Sequence, residues 1–150
     1  PGTLWAHFAY TRVRMAYFEW ADDLVIDRGP IDADHQKLVA SINELHSATC
    51  EGRGQEIVAA VLDTLVSDTL AHVQREEQLM ERLRYPHLSE HRAEHQKFLA
   101  QLQRLKQEQA SGKITVAAQL SSALRDWLSI HIRRHDKKLF YYLQQSKRRP

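Results

Sequence analysis

The sequence predicts an all-α protein, an antiparallel up-down four-helix bundle preceded by an N-terminal arm. Two observations carry this. Four long stretches repeat apolar residues at the three-and-four spacing of a helix, with no strand-like alternation anywhere. The breaks between them (Gly52 to Gly54, Tyr85-Pro86, Ser111-Gly112) are short, so successive helices must turn back on one another. At 150 residues the chain is long enough to bury one core.

The elements follow in order. Residues 1–19 read as an N-terminal arm or linker, residues 20–145 as the bundle and residues 146–150 as a basic tail. Residues 1–30 carry Trp5, Phe8, Tyr10, Tyr17, Phe18 and Trp20, which are expected to pack over the domain, and end in the turn signal DRGP. After Pro30 a helix of about 17 residues places Leu38, Ile42, Leu45 and Ala48 on one face, with His35 on the same face. Gly52 and Gly54 end it.

A second helix spans about residues 55–84. Its face of Val58, Val61, Leu62, Leu65, Thr69, Leu79, Met80 and Leu83 is interrupted by His72 and Glu76. Proline has no amide hydrogen and disfavours helical geometry in the residue before it, so Tyr85-Pro86 stops this helix. The third spans about residues 88–110, with His91, His95, Phe98, Leu102 and Leu105 in register. The fourth spans about residues 114–145, where Ala117, Leu120, Leu124 and Trp127 lead into His131, with Leu128, Ile132 and Leu139 alongside.

Composition excludes several function classes. A net charge of +2 gives no basis for nucleic-acid binding, and Lys147-Arg148-Arg149 reads as a solvated tail. No apolar run reaches the roughly 20 residues that cross a bilayer, so no membrane insertion by this segment is expected. The single cysteine, Cys50, lies in a stretch that reads as a loop; unable to pair within the chain, it favours a reducing, cytoplasmic setting.

The nine histidines are the compositional oddity. Each helix carries ionisable residues on the face that should be buried: His35 on the first, His72 and Glu76 on the second, His91 and His95 on the third, His131 and Asp136 on the fourth. Residues four apart lie one above the other, so His72/Glu76 and His91/His95 can each point at one centre. A lone histidine on an apolar face is ordinarily a hydrogen-bonded core residue. Burying seven unpaired polar groups would cost a few kcal/mol each, against a total stability of about 5–15 kcal/mol. A metal removes the conflict.

Imidazole and carboxylate suit iron, zinc, copper or nickel. Five imidazoles and two carboxylates exceed six coordination positions but suit two ions bridged by the carboxylates. The absence of thiolates excludes a cysteine-type structural zinc site. The ferritin-like pattern needs Glu-x-x-His twice, and no glutamate here has a histidine three residues later.

Together IDADHQKLVASINELH, HVQREEQLM, YPHLSEHRAEHQKF and WLSIHIRRHDKKL resemble the hemerythrin and bacteriohemerythrin family, over about residues 20–143. The pattern H…HxxxE…HxxxH…HxxxxD is carried by His35, His72, Glu76, His91, His95, His131 and Asp136. The resemblance implies two iron ions (Fe2+/Fe3+) with an oxo or hydroxo bridge, binding O2 reversibly. His91, His95 and His131 would ligate one iron and His35 and His72 the other, with Glu76 and Asp136 bridging. The iron with two histidines keeps an open position for O2, or for azide and other small anions when oxidised. Leu38, Val73, Trp127, Leu128 and Ile132 are expected to line an apolar O2 pocket.

Family members often have Phe after the second-helix histidine, where this chain has Val73. More room or water there implies faster autoxidation. His131/His135 is also a possible ligand pair by spacing; Asp136 is preferred because two irons need a second bridging carboxylate, leaving His135 facing solvent. His87 is expected in the Pro86 turn outside the site, and His7 and His46 have no evident partner. Three readings follow: an O2 carrier or store; the oxygen- or redox-sensing module of a signalling protein, for instance a chemotaxis receptor, with a covalently attached signalling domain; or a di-iron peroxidase, oxidase or nitric oxide reductase. No acid/base pair beyond the ligands is visible, which places the enzyme last.

Overall fold

The computed structural model describes residues 16–147, and no strand occurs among them. A 3-10 turn over Asp22–Leu24 leads to α1 (Pro30–Cys50), α2 (Gly54–Arg82), α3 (Leu88–Ala110) and α4 (Val116–His131). A π-helical turn over Ile132–Asp136 then continues into α5 (Lys137–Ser146). α1 and α3 each pack against both α2 and α4, which closes the up-down bundle. The four-helix expectation holds, with one difference. The last apolar stretch is not one regular helix but α4 and α5 joined through the π turn, and α4 starts at Val116 because Ile114 lies in a turn and is exposed.

The core is a run of layers. Leu38, Ile42 and Leu45 of α1 meet Val58, Leu62 and Leu65 of α2, Phe98, Leu102 and Leu105 of α3, and Leu120, Leu124 and Leu128 of α4. Each fully buried leucine contributes about 1.5–3 kcal/mol. These layers occupy the half of the bundle nearest the α1–α2 loop. The histidines begin where the leucines stop.

Three helix ends share one mechanism. After α1 and α3 the chain turns through Gly52 and Gly112 in the left-handed region (φ 75° and 84°). The next amide then bonds back to Ala48 O and to Glu108 O. α2 ends the same way, with Tyr85 N–H donating to Met80 O, but its left-handed residue is Arg84 (φ 52°). Pro86 then prevents continuation.

α1 is longer than expected because its start and end are both held. The Asp27 carboxylate accepts from the amides of Gly29 (2.8 Å), Ile31 (3.1 Å) and Asp32 (3.2 Å). Asp32 in turn accepts from the amides of Ile26 (2.8 Å) and Arg28 (2.7 Å). These bonds satisfy first-turn donors and fix the chain entering the helix three residues before His35. Cys50 is the last residue of α1 rather than part of a loop.

Of the aromatic arm, Tyr17, Phe18 and Trp20 are described. Phe18 is buried, and its amide and carbonyl bond reciprocally with the Asn43 side chain, both at 2.9 Å. Tyr17 stacks on His46 with ring centroids 3.9 Å apart. His46, for which the sequence suggested no partner, therefore has two: Tyr17 and the Cys50 thiol, 3.4 Å from its Nε2. Trp5, His7, Phe8 and Tyr10 lie outside the described residues, as do residues 148–150 of the basic tail.

Candidate metal centre

The polar cluster is set by helical register. His72 and Glu76 are one turn apart on α2, His91 and His95 one turn apart on α3, and His35 faces them from α1. His131 and Asp136 require more. Five residues of α-helix turn through about 500°, which would swing Asp136 about 140° away from His131. The π turn removes this mismatch. Its bonds span five residues, as where Lys137 N–H donates to Ile132 O, so residues five apart come into register. Asp136 thereby lies beside His131, with Oδ1 3.0 Å from its Nε2.

All seven side chains are buried, none more than 3% exposed. His91 Nε2 lies 3.1 Å from Glu76 Oε2, 3.1 Å from Asp136 Oδ1 and 3.1 Å from His131 Nε2. His95 Nε2 is 3.1 Å and His72 Nε2 3.6 Å from Glu76 Oε2. His35 Nε2 is 3.3 Å from Asp136 Oδ2, and the His35 and His72 rings are 4.5 Å apart. Two groups of imidazoles result. His91, His95 and His131 surround Glu76, with their donor atoms within 4.8 Å of one another. His35 and His72 form the second group. Asp136 presents one oxygen to each group.

Apart from the hydrogen bonds of His91 with Glu76 and His131, the short distances here are not hydrogen bonds. His35 Nε2, both nitrogens of His72, His95 Nε2, Glu76 Oε1 and both Asp136 oxygens have no hydrogen-bond partner among the described residues. The groups approach to 3.0–3.6 Å, yet their lone pairs and N–H bonds are not aligned on one another. That is the arrangement of donor atoms sharing a common focus, and it is costly unless a cation occupies the focus.

Electrostatics point the same way. Burial and the adjacent Asp136 charge push the Glu76 carboxyl up, but the nearby His91, His95 and His72 outweigh both and hold it well below the usual carboxylate range. Burial also works against charge on Asp136, and His131, His91 and His35 hold it down. Burial disfavours a charged His91 too, yet Asp136 and Glu76 raise it to about 10. His72 is pushed down to about 3, chiefly by burial. His91 Nε2 lies 3.1 Å from an oxygen of each carboxylate, so positive charge is favoured at the point between Glu76 and Asp136.

A second ring of charges, which sequence reasoning missed, surrounds the imidazoles, and one member of it, Glu77, is hydrogen-bonded to His95. Glu77 Oε1 lies 3.1 Å from His95 Nδ1, and Glu77 is itself held by Arg92 Nε at 2.7 Å. Asp34 lies 3.9 Å from His72 Nδ1 and receives Arg75. A signal was available: in ADHQ, REEQ and EHRA a charged residue directly adjoins each core donor, at the edge of the buried face. Such partners fix ring orientation and tautomer in metal sites.

Of the expected pocket, Leu38, Leu128 and Ile132 are fully buried and Val73 nearly so, while Trp127 is half-buried. His87 is exposed in the turn before α3 and pairs with Glu90 at 3.6 Å. His135 departs from expectation. It is partly buried rather than facing solvent, because the π turn stacks it on His131 with centroids 5.2 Å apart.

The hemerythrin HHE cation binding domain matches this chain over residues 29–143. The bacteriohemerythrin of Stenotrophomonas maltophilia is 32% identical over 82% of this chain and 79% of its own length. That of Pseudomonas aeruginosa is 34% identical over 81% and 78%. Among solved structures, a hemerythrin mutant superposes with a TM-score of 0.76 at 25% identity, covering 86% of this chain and 98% of that one. The match spans all four helices and every donor of the buried cluster, and the chain belongs to the hemerythrin HHE cation binding domain family.

Proposed function

We propose that this protein binds O2 reversibly at a pair of non-heme iron ions, as a carrier or store or as the oxygen-receiving module of a signalling protein. The observation that carries it is the convergence of five imidazoles and two carboxylates, eight of whose nitrogen and oxygen atoms have no hydrogen-bond partner among the described residues. His91, His95 and His131 would hold one ion, His35 and His72 the other, and Glu76 and Asp136 would span the pair. Bound there, two ferrous ions supply the two electrons that a reversible O2 adduct requires. The protein provides everything else. Glu77 orients His95, and Asp34 places a negative charge 3.9 Å from His72 Nδ1. Leu38, Val73, Leu128 and Ile132 exclude water from the His35/His72 side, and Trp127 closes it toward the surface between α3 and α4.

The test is metal analysis with an optical spectrum of aerobically purified protein, with and without azide. Two irons per chain and an azide-sensitive charge-transfer band are expected. One metal per chain, or none, refutes the assignment.

A further inference from the structure

One turn from the donor cluster, toward the α1–α2 loop, every helix contributes to the next layer. Leu38 follows His35 by three residues, Thr69 precedes His72 by three, Phe98 follows His95 by three, and Trp127 and Leu128 precede His131 by four and three. Three of these five are apolar. The other two each carry a donor with nothing to bond. Thr69 is fully buried and its Oγ1 has no partner among the described residues. Trp127 is half-buried, but its Nε1 is buried and equally without a partner.

The indole is fixed in place. It stacks between Phe98 (centroids 4.4 Å, 11° between planes) and His131 (4.6 Å, 11°). It stands edge-on to His72 at 6.0 Å and 85°. Part of the ring lines the groove between α3 and α4, its nitrogen is buried, and the contact with His72 brings the indole against the two-histidine half of the centre. Thr69 approaches that half from α2, on the face that carries His72. Leu38, Phe98 and Leu128 offer no side-chain acceptor, so neither donor finds one among the described residues, and a bound ligand can supply it.

We propose that the Thr69 hydroxyl and the Trp127 indole N–H donate hydrogen bonds to the small exogenous ligand bound beside His35 and His72. The affinity of the pocket for small anions of the azide or nitrite kind then depends on these two donors, and its affinity for neutral diatomics does not. The proposal rests on the di-iron reading, and it qualifies the purely apolar pocket expected from the sequence. An anion with negative charge on its far atom meets two donors, whereas a neutral diatomic gains little from either.

The experiment compares the parent with Thr69→Val, Thr69→Ser and Trp127→Phe, each with iron content measured first. Azide affinity is read from absorption of the ferric protein, nitric oxide affinity from the ferrous protein, and thermal stability from the metal-free protein. A hydrogen bond to a charged group predicts that Thr69→Val and Trp127→Phe each weaken azide about tenfold or more. Thr69→Ser, which keeps the hydroxyl, should stay within about threefold, and nitric oxide affinity should hold within the same margin. Thr69→Val should also raise the Tm of the metal-free protein, because it removes a buried donor that has no partner there. Iron-loaded variants with unchanged azide affinity overturn the proposal. So does equal weakening of azide and nitric oxide, which would indicate pocket shape, or a lower metal-free Tm for Thr69→Val, which would show that the hydroxyl is already bonded within the chain. A parent chain that loads no iron defeats the di-iron reading itself, and this proposal with it.

Discussion

Removing the Glu77 carboxylate should loosen the metal without touching a ligand. Glu77 Oε1 meets His95 Nδ1 at 3.1 Å, and Oε2 receives Arg92 Nε at 2.7 Å. Its side chain is 17% exposed, so the bond to His95 is partly shielded from water. A hydrogen bond to a charged group contributes about 1.5–3 kcal/mol, and partial exposure favours the lower end. About 1.4 kcal/mol is tenfold in affinity, so Glu77→Ala should weaken iron binding about tenfold, within the roughly 10–100-fold seen for orienting partners of metal ligands. The Arg92 pair is surface-exposed and contributes about 0–1 kcal/mol, so Arg92→Ala should cost only a few-fold. Glu77→Gln retains an acceptor and should fall between the two. Competition of metal-free protein against a chromophoric ferrous chelator measures all three. Parent-like affinity for Glu77→Ala, or a loss in Arg92→Ala as large, would refute the orienting role.

Three further outcomes are expected. Val73→Phe, filling space beside His72, should lengthen the autoxidation half-life of the oxygenated protein; an unchanged half-life removes Val73 from the pocket account. The metal-free protein should be most stable near pH 6.5, judged by Tm across pH. His91, raised from 6.5 to about 10, contributes stability that is complete below 6.5 and lost as pH rises through about 10. His72, lowered to about 3, contributes stability that is complete above 6.5 and lost as pH falls toward 3, so a Tm still climbing at pH 9 would contradict the metal-free arrangement. Arg84→Gly should stabilise the fold by about 0.5–1 kcal/mol in urea unfolding, since it relieves a side chain held in left-handed geometry where α1 and α3 use glycine. A loss of stability would mean the Arg84 side chain does more than occupy the turn.

Most of the fold was legible because hydrophobic periodicity and chain breaks are local signals. Leu38, Ile42 and Leu45 mark one face whatever they pack against, and Pro86 stops a helix by its own chemistry. The donor cluster was legible for a related reason: polar residues on a stripe of leucines violate the pattern at countable positions. The π turn was less visible. His131 and Asp136 are five apart, a spacing that misses an α-helical face, and only the need for a second carboxylate brought Asp136 into the set. His135, at the regular spacing of four, was the competing choice, and it lies against His131 in the structure. Glu77 and Asp34 were missed because they sit at the edge of the buried stripe. There a charged residue looks like ordinary surface until the neighbouring helix shows what it touches.

The π turn also explains why the site tolerates only this order of residues. A regular helix through Ile132–Asp136 would present His131 and His135 to the cluster and turn Asp136 aside. The focus would then hold six imidazoles and the single carboxylate of Glu76. Two dications would share one negative charge instead of two, in a pocket closed to water. The five-residue spacing exchanges that sixth imidazole for a carboxylate whose oxygens lie 3.0 Å from His131 on one side and 3.3 Å from His35 on the other. The irregular backbone therefore performs a charge selection. Deleting Arg134 restores four-residue spacing between His131 and Asp136, and regular helix with it, which isolates the backbone's contribution. One residue fewer in a regular helix keeps the register that the π turn sets, so Asp136 stays beside His131 and the fully buried Leu139, now seven residues after His131, stays in the core. The deletion variant should therefore match the parent's metal-free stability to within about 1 kcal/mol. A loss of about 2–5 kcal/mol, the cost of one lost core leucine, would show that α5 had turned out of register and that the π turn does not act as a single inserted residue.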